Sequence, residues 1–118
     1  MSRVGRTLRR WWASNDELES EDLQRVAHTA GATPIAQAQD REQVTLRGMI
    51  SVLTLKPRNQ TPWLEAEFTD GSGTVTLIWM GRRQIAGISA GRTLTVSGRV
   101  SDVDGQRRLY NPRYELVA

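Results

Sequence analysis

An all-β barrel of five strands, preceded by one N-terminal α-helix and a basic arm, is the fold class the sequence predicts. Three observations carry that prediction. Apolar residues alternate with a period of two from Gln43 onward, tight-turn sequences punctuate the alternation, and a segment with helical spacing and capping signals stands ahead of it. At 118 residues the chain is sized for one small domain, and four segments are expected: 1–13 a basic flexible arm, 14–31 an acidic helix, 32–42 a linker and 43–118 the barrel.

The arm has no clear period and contains the cluster Arg9, Arg10, Trp11, Trp12. Ser14, with Glu17 three residues later, fits a capping box, and Asp16, Glu17 and Glu19 place negative charge in the first turn, where the helix dipole favours it. The apolar stripe that follows, Leu18, Leu23, Val26, Ala27 and Ala30, is thin, so this helix must lean on a neighbour. Gly31 is placed to cap its C-terminus, with Pro34 shortly beyond. The Ala- and Gln-rich stretch after that reads as linker.

Strand one begins at Gln43: Val44, Leu46, Gly48, Ile50 and Val52 alternate with Thr45, Arg47, Met49 and Ser51. Gly48 marks a bulge or sharp bend, and a polar loop from Lys56 to Thr61, with Pro57, ends the strand. Strand two turns Leu64, Ala66 and Phe68 inward, leaving Trp63, Glu65 and Glu67 outside. Asp70-Gly71-Ser72-Gly73 makes the hairpin to strand three, Thr74 to Met80, with Val75, Leu77 and Trp79 on one face and Thr76 and Ile78 on the other. Residues Gly81 to Gly91 break the alternation, as a short helix or turn would. Strand four, Arg92 to Val103, turns Leu94, Val96 and Val100 inward and bends at Gly98; Asp104-Gly105 leads to strand five, Gln106 to Val117. Five strands with a glycine-bent first strand and a non-strand segment between the third and fourth describe an OB-fold, with an SH3-like barrel or small sandwich as the competing architectures.

Composition narrows the function. With no cysteine and one histidine, His28, the chain offers no disulfide framework, thiolate metal site or cysteine nucleophile, and the expectation is a non-enzymatic protein without metal or cofactor. The carboxylates Asp102 and Asp104 sit at a turn with no paired base or nucleophile. Arginines interrupt the N-terminus, so neither a signal peptide nor a membrane span is expected, and the protein is placed in the cytoplasm, with nucleoid association a further option. The formal charge of +3 conceals segregation: residues 1–12, 13–28, 29–42 and 43–118 carry +4, −4, −1 and +4. Lys56 is the only lysine; the other cations are arginines, whose planar donor fork suits phosphate and whose use also follows from a GC-rich genome.

Val44-Thr45-Leu46-Arg47-Gly48, the run Leu64 to Gly73, Leu77-Ile78-Trp79, Val96-Ser97-Gly98-Arg99-Val100 and Asn111-Pro112-Arg113-Tyr114-Glu115 together resemble the OB-fold wedge domain of RecG-type DNA helicases. They also look like small actinobacterial OB-fold proteins. The resemblance covers residues 43–117 and implies contact with branched DNA; no phosphate-loop motif is present, so it does not imply helicase activity.

An OB-fold binds nucleic acid on the outer faces of strands two and three and on the loops that flank them. The expected contacts are Lys56, Arg58 and Asn59 in the first loop, Trp63 as a stacking platform, Arg107 and Arg108 after the second turn, and Arg47, Arg99 and Arg113 extending the groove. Glu65 and Glu67 oppose this by repelling phosphate from the middle of the platform. The partner expected is nucleic acid, DNA in preference to RNA and single-stranded or branched. The alternative is a protein-interaction adaptor that uses the barrel or residues 1–31, whose acidic helix could also fold against the arm and compete with phosphate.

Overall fold

The computed structural model describes residues 18, 21–25, 27 and 31–117. The arm, the Ser14–Glu17 capping box and His28 lie outside the described residues. Leu18, residues 21–25 and Ala27 are helical. Gly31 has φ 75°, and the Ala32 amide donates to the Ala27 carbonyl at 3.1 Å, as expected where glycine caps a helix C-terminus. Ala27 is buried, and Gln24 donates from its side chain to the Gly71 carbonyl at 2.8 Å.

The strands are β1 (Gln43–Arg58), β2 (Thr61–Thr69), β3 (Thr74–Met80), β4 (Thr93–Val103), β5 (Gln106–Tyr110) and β6 (Arg113–Leu116). They form one sheet in the order β1-β2-β3-β5-β4-β6, and an additional β1–β4 pairing closes five of them into a ring. Every pairing is antiparallel except β3 with β5. A ring closed by one parallel pair is neither a sandwich of two sheets nor an SH3-like barrel.

The closure depends on β1 pairing on both sides. Residues 43–49 pair with β4, residues 49–58 pair with β2, and the register shifts between Ile50 and Val52. At Gly48 the strand passes so close to the end of β2 that a Cβ there would collide with the Thr69 carbonyl, so the expected bend is a steric requirement for glycine. Gly98 plays a milder part: it lies where β4 exchanges β6 for β5 as its partner, and a Cβ there would make ordinary contacts with Leu109 at 3.5 Å and Pro112 at 3.7 Å.

The apolar side of the sequence reading is buried at Val44, Leu46 and Ile50 of β1, Leu64, Ala66 and Phe68 of β2, Val75, Leu77 and Trp79 of β3, and Leu94, Val96 and Val100 of β4, but not at Val52, which the register shift after Ile50 turns outward. Four further features differ from expectation. The stretch read as linker seats Ile35 and Ala38 in this core through a 3-10 turn (Ile35–Gln37) and tethers to β4, where Arg41 N donates to the Val100 carbonyl and Val100 N to the Glu42 carbonyl. Its alanines and glutamines hid that role because a barrel end needs only two apolar plugs. Asp70 fixes it from the hairpin: one buried carboxylate oxygen accepts from Ile35 N at 2.9 Å, the other from Ser72 N and Ser72 Oγ.

The polar loop expected over Lys56 to Thr61 is instead strand up to the two residues Asn59 and Gln60, both at positive φ, as in a type I′ hairpin. Gly81 to Gly91 takes the turn alternative of its expectation, and the difference is that it puts Ile85 and Ile88 into the core. The expected fifth strand breaks at Asn111-Pro112, where Asn111 has φ 50°, its Oδ1 accepts from Met80 N, and the Pro112 carbonyl accepts from Trp79 Nε1 at 3.2 Å. Proline cannot donate to a ladder, so the corner falls there. No helix among the described residues is long and apolar enough to cross a membrane.

Candidate nucleic-acid interface

Alternation along β2 places Leu64, Ala66 and Phe68 in the core and so sends Trp63, Glu65 and Glu67 outward. The register extends each into a row across the sheet. Lys56, Trp63 and Met80 are opposite one another; Thr54, Glu65, Ile78 and Tyr110 form the next row; Glu67, Thr76 and Arg108 form the third. Ile78 is the surprise of this face. It is only 3% exposed although it belongs to the outward side of β3 and not to the core cluster, which makes it an apolar floor between Glu65 and Tyr110.

Trp63 and Tyr110 stand edge to face, ring centroids 6.4 Å apart, and Tyr110 remains 43% exposed. The Arg58 guanidinium lies 5.9 Å from the Trp63 ring centroid, within cation–π range. Lys56 Nζ is 3.3 Å from Glu65 Oε1, so this carboxylate is matched to the neighbouring ammonium; Glu67 forms no ion pair among the described residues. The anticipated repulsion is thereby halved at its source.

The cations expected to act together are divided among three places. Lys56, Arg58, Asn59 and Trp63 gather at the end of the β1–β2 ribbon, and Arg108 occupies the same outward face toward the opposite end, donating to Gln106 Oε1 at 2.9 Å. Arg107 faces the other way: its Nε donates to the Ala38 carbonyl at 2.9 Å and its Nη2 to the Ala36 carbonyl at 3.0 Å, which ties β5 to the plug under the barrel. Arg47, Arg99 and Arg113 stand on the outward side of β1, β4 and β6, away from Trp63.

Three residues that belong with Trp63 escaped the sequence reading. Tyr110 directly precedes the Asn111-Pro112 corner, which disturbs the alternation and hides which way the ring faces. Arg82 and Arg83 follow β3 directly, and the Gly81 amide donates to the Pro62 carbonyl at 2.7 Å, which brings this exposed pair beside the beginning of β2. The hairpin at residues 70–73 was a usable signal: once it joins β2 and β3, the residues after Met80 must emerge beside Trp63.

Ring order, the parallel closure and the two-sided first strand decide the fold. The barrel is an OB-fold. Its likeness to solved structures agrees: RecG bound to a three-way DNA junction matches with a TM-score of 0.59 and 22% identity, over 72% of this chain and 12% of that one. A Replication Protein A heterotrimer bound to ssDNA matches with a TM-score of 0.51 and 15% identity, over 75% of this chain and 74% of that one. The chain thus corresponds to a small part of the RecG polypeptide. No protein-family model and no curated protein matches it.

Proposed function

We propose that this OB-fold is a non-enzymatic nucleic-acid-binding module that takes single-stranded or branched DNA on the outward face of β2, β3 and β5. The observation that carries this reading is the Trp63–Tyr110 pair, solvent-facing, resting beside the apolar floor of Ile78 and bordered by Lys56, Arg58, Arg82 and Arg83. Aromatic faces stack on bases of any sequence, at about 1–3 kcal/mol per base, while the guanidinium and ammonium groups neutralise phosphate. Asn59 at the ribbon tip and Arg108 at the far end mark the length of strand the face accommodates. That the two solved structures above hold a DNA junction and ssDNA supports DNA as the ligand class.

The test is a titration of the chain with single-stranded DNA, duplex DNA, a three-way junction and RNA at two salt concentrations. With about three to five phosphate contacts, log K for single strands falls with log salt at a slope of roughly −2 to −4. Tryptophan fluorescence is quenched on binding, and the quench shrinks in Trp63→Phe. Absence of saturable binding to every nucleic acid overturns the proposal. Unpaired Glu67 and the neighbouring exposed Val52 favour a protein ligand as the second reading, for which a stoichiometric protein partner would replace the oligonucleotide.

A further inference from the structure

The registers of β1 with β4 and of β4 with β6 set out a second array of outward side chains. Arg47, Thr95 and Glu115 make one row; Thr45, Ser97 and Arg113 make the next; Gln43 and Arg99 the third. The intervening residues Val44, Leu46, Leu94 and Val96 are buried, so these rows point away from the core. Thr45 Oγ1 and Ser97 Oγ lie 3.3 Å apart, and Arg92 joins Arg47 at one margin.

Two properties describe this array, and the second sets it apart from the stacking face. Like Arg58 and Arg108 on the stacking face, Arg47, Arg92, Arg99 and Arg113 form no salt bridge with a described carboxylate, and here this holds although Glu115 stands in the first row and Asp22, Asp40 and Asp102 lie at the margins. Nor does an aromatic or exposed large apolar side chain stand in the rows, since Leu116 belongs to the inward side of β6 opposite Leu94. Guanidinium groups and hydroxyls are what contacts phosphate oxygens, while base stacking needs a ring and protein interfaces are anchored by buried aromatic or aliphatic groups.

We propose that this face is a phosphate-contacting surface for a nucleic-acid duplex, separate from the stacking face and engaged together with it by a duplex that carries a single-stranded tail. The choice of ligand class rests on the nucleic-acid reading above; the choice of duplex rests on the array. Strands about 4.8 Å apart and a repeat of roughly 6.7 Å along each put the backbones of Arg47, Arg99 and Arg113 about 8–14 Å apart, comparable with the ~6 Å minor and ~12 Å major groove openings of B-DNA. A duplex also presents about one phosphate charge per 1.7 Å of axis, which makes it the stronger ligand for charges that have no ring to assist them.

Fluorescence anisotropy on the full chain tests this, with a labelled single strand, a blunt duplex and a tailed duplex as probes. The wild type binds the tailed duplex about tenfold more tightly than the isolated single strand. Arg99→Ala with Arg113→Ala, both exposed positions, lowers affinity for the blunt and tailed duplexes about five- to tenfold, reduces the salt slope by about 1.8, and changes single-strand affinity less than about twofold. Thermal melting confirms that the double variant folds, and Arg99→Lys with Arg113→Lys retains most of the slope. Unchanged tailed-duplex affinity in the alanine variant, or an equal loss on the single strand, overturns the duplex face and leaves the stacking face standing. Conversely, a wild type that binds duplex but not single strand defeats the stacking face alone, and one that binds no nucleic acid defeats both.

Discussion

The outward side of β2, β3 and β5 and the outward side of β1, β4 and β6 belong to one barrel, and β1 supplies residues to both, yet they are built from different chemistry. The first combines two aromatic rings and the Lys56–Glu65 pair with arginines such as Arg58 and Arg108; the second combines hydroxyls with arginines and has no ring in its rows. A cation that is already matched to a carboxylate adds little net field, and a ring adds stacking that no guanidinium on a bare strand face provides in its place. Binding on the first face is therefore expected to depend on contact with bases as well as on salt, and on the second to depend on salt alone. Counting cations along the sequence merges the two.

The largest expected effect comes from breaking the strand that joins the faces. Gly48→Ala forces a Cβ onto the Thr69 carbonyl and costs about 2–3 kcal/mol of stability, read as a lower midpoint in urea denaturation. An unchanged midpoint would mean that β1 bends without that close approach. On the stacking face, Trp63→Ala lowers single-strand affinity by about 1–3 kcal/mol in an oligonucleotide titration, while blunt-duplex affinity stays within about twofold. Equal losses on both probes would erase the distinction between the faces.

Arg107 separates a binding arginine from a structural one. Arg107→Ala removes two donors from the Ala36 and Ala38 carbonyls and lowers stability by about 1–2 kcal/mol, with single-strand affinity below the melting range unchanged. A loss of affinity without a loss of stability would return this residue to the interface. Arg82→Ala with Arg83→Ala reduces the single-strand salt slope by about 1.4, as two phosphate contacts require, and leaves stability as it was. The smallest effect sharpens the role of the acids: Glu65→Gln frees Lys56 and raises single-strand affinity about two- to threefold at low salt, a gain that disappears as salt screens the charge.

Much of the barrel was legible because burial imposes a period of two. The inward residues of β1 to β4, the Asp70 hairpin and the bend at Gly48 follow from alternation and turn chemistry, which are local. The ends of the barrel were not. Ile35, Ala38, Ile85 and Ile88 close them from segments without strand period, and an isolated apolar residue in a polar stretch carries no local signal of what it will cover. The site divides in the same way. Trp63 was identified as outward from its own strand, whereas Tyr110 reaches it only through the parallel β3–β5 pairing, and Arg107 and Arg108 are adjacent in sequence yet point to opposite sides of β5.

By itself, then, the sequence determined that this is a small β barrel with a basic surplus, no cysteine and one histidine, because composition and alternation act over a few residues. Tertiary structure alone decided which arginines share a face. Cross-strand register fixes that, and register is set by how the ring closes: by β1 pairing on both sides at Gly48 and by the Asn111-Pro112 corner that hands β4 from β5 to β6. A slip of one residue in any of those pairings would exchange the two faces' side chains with the core, so the location of the charge is a property of the closed barrel.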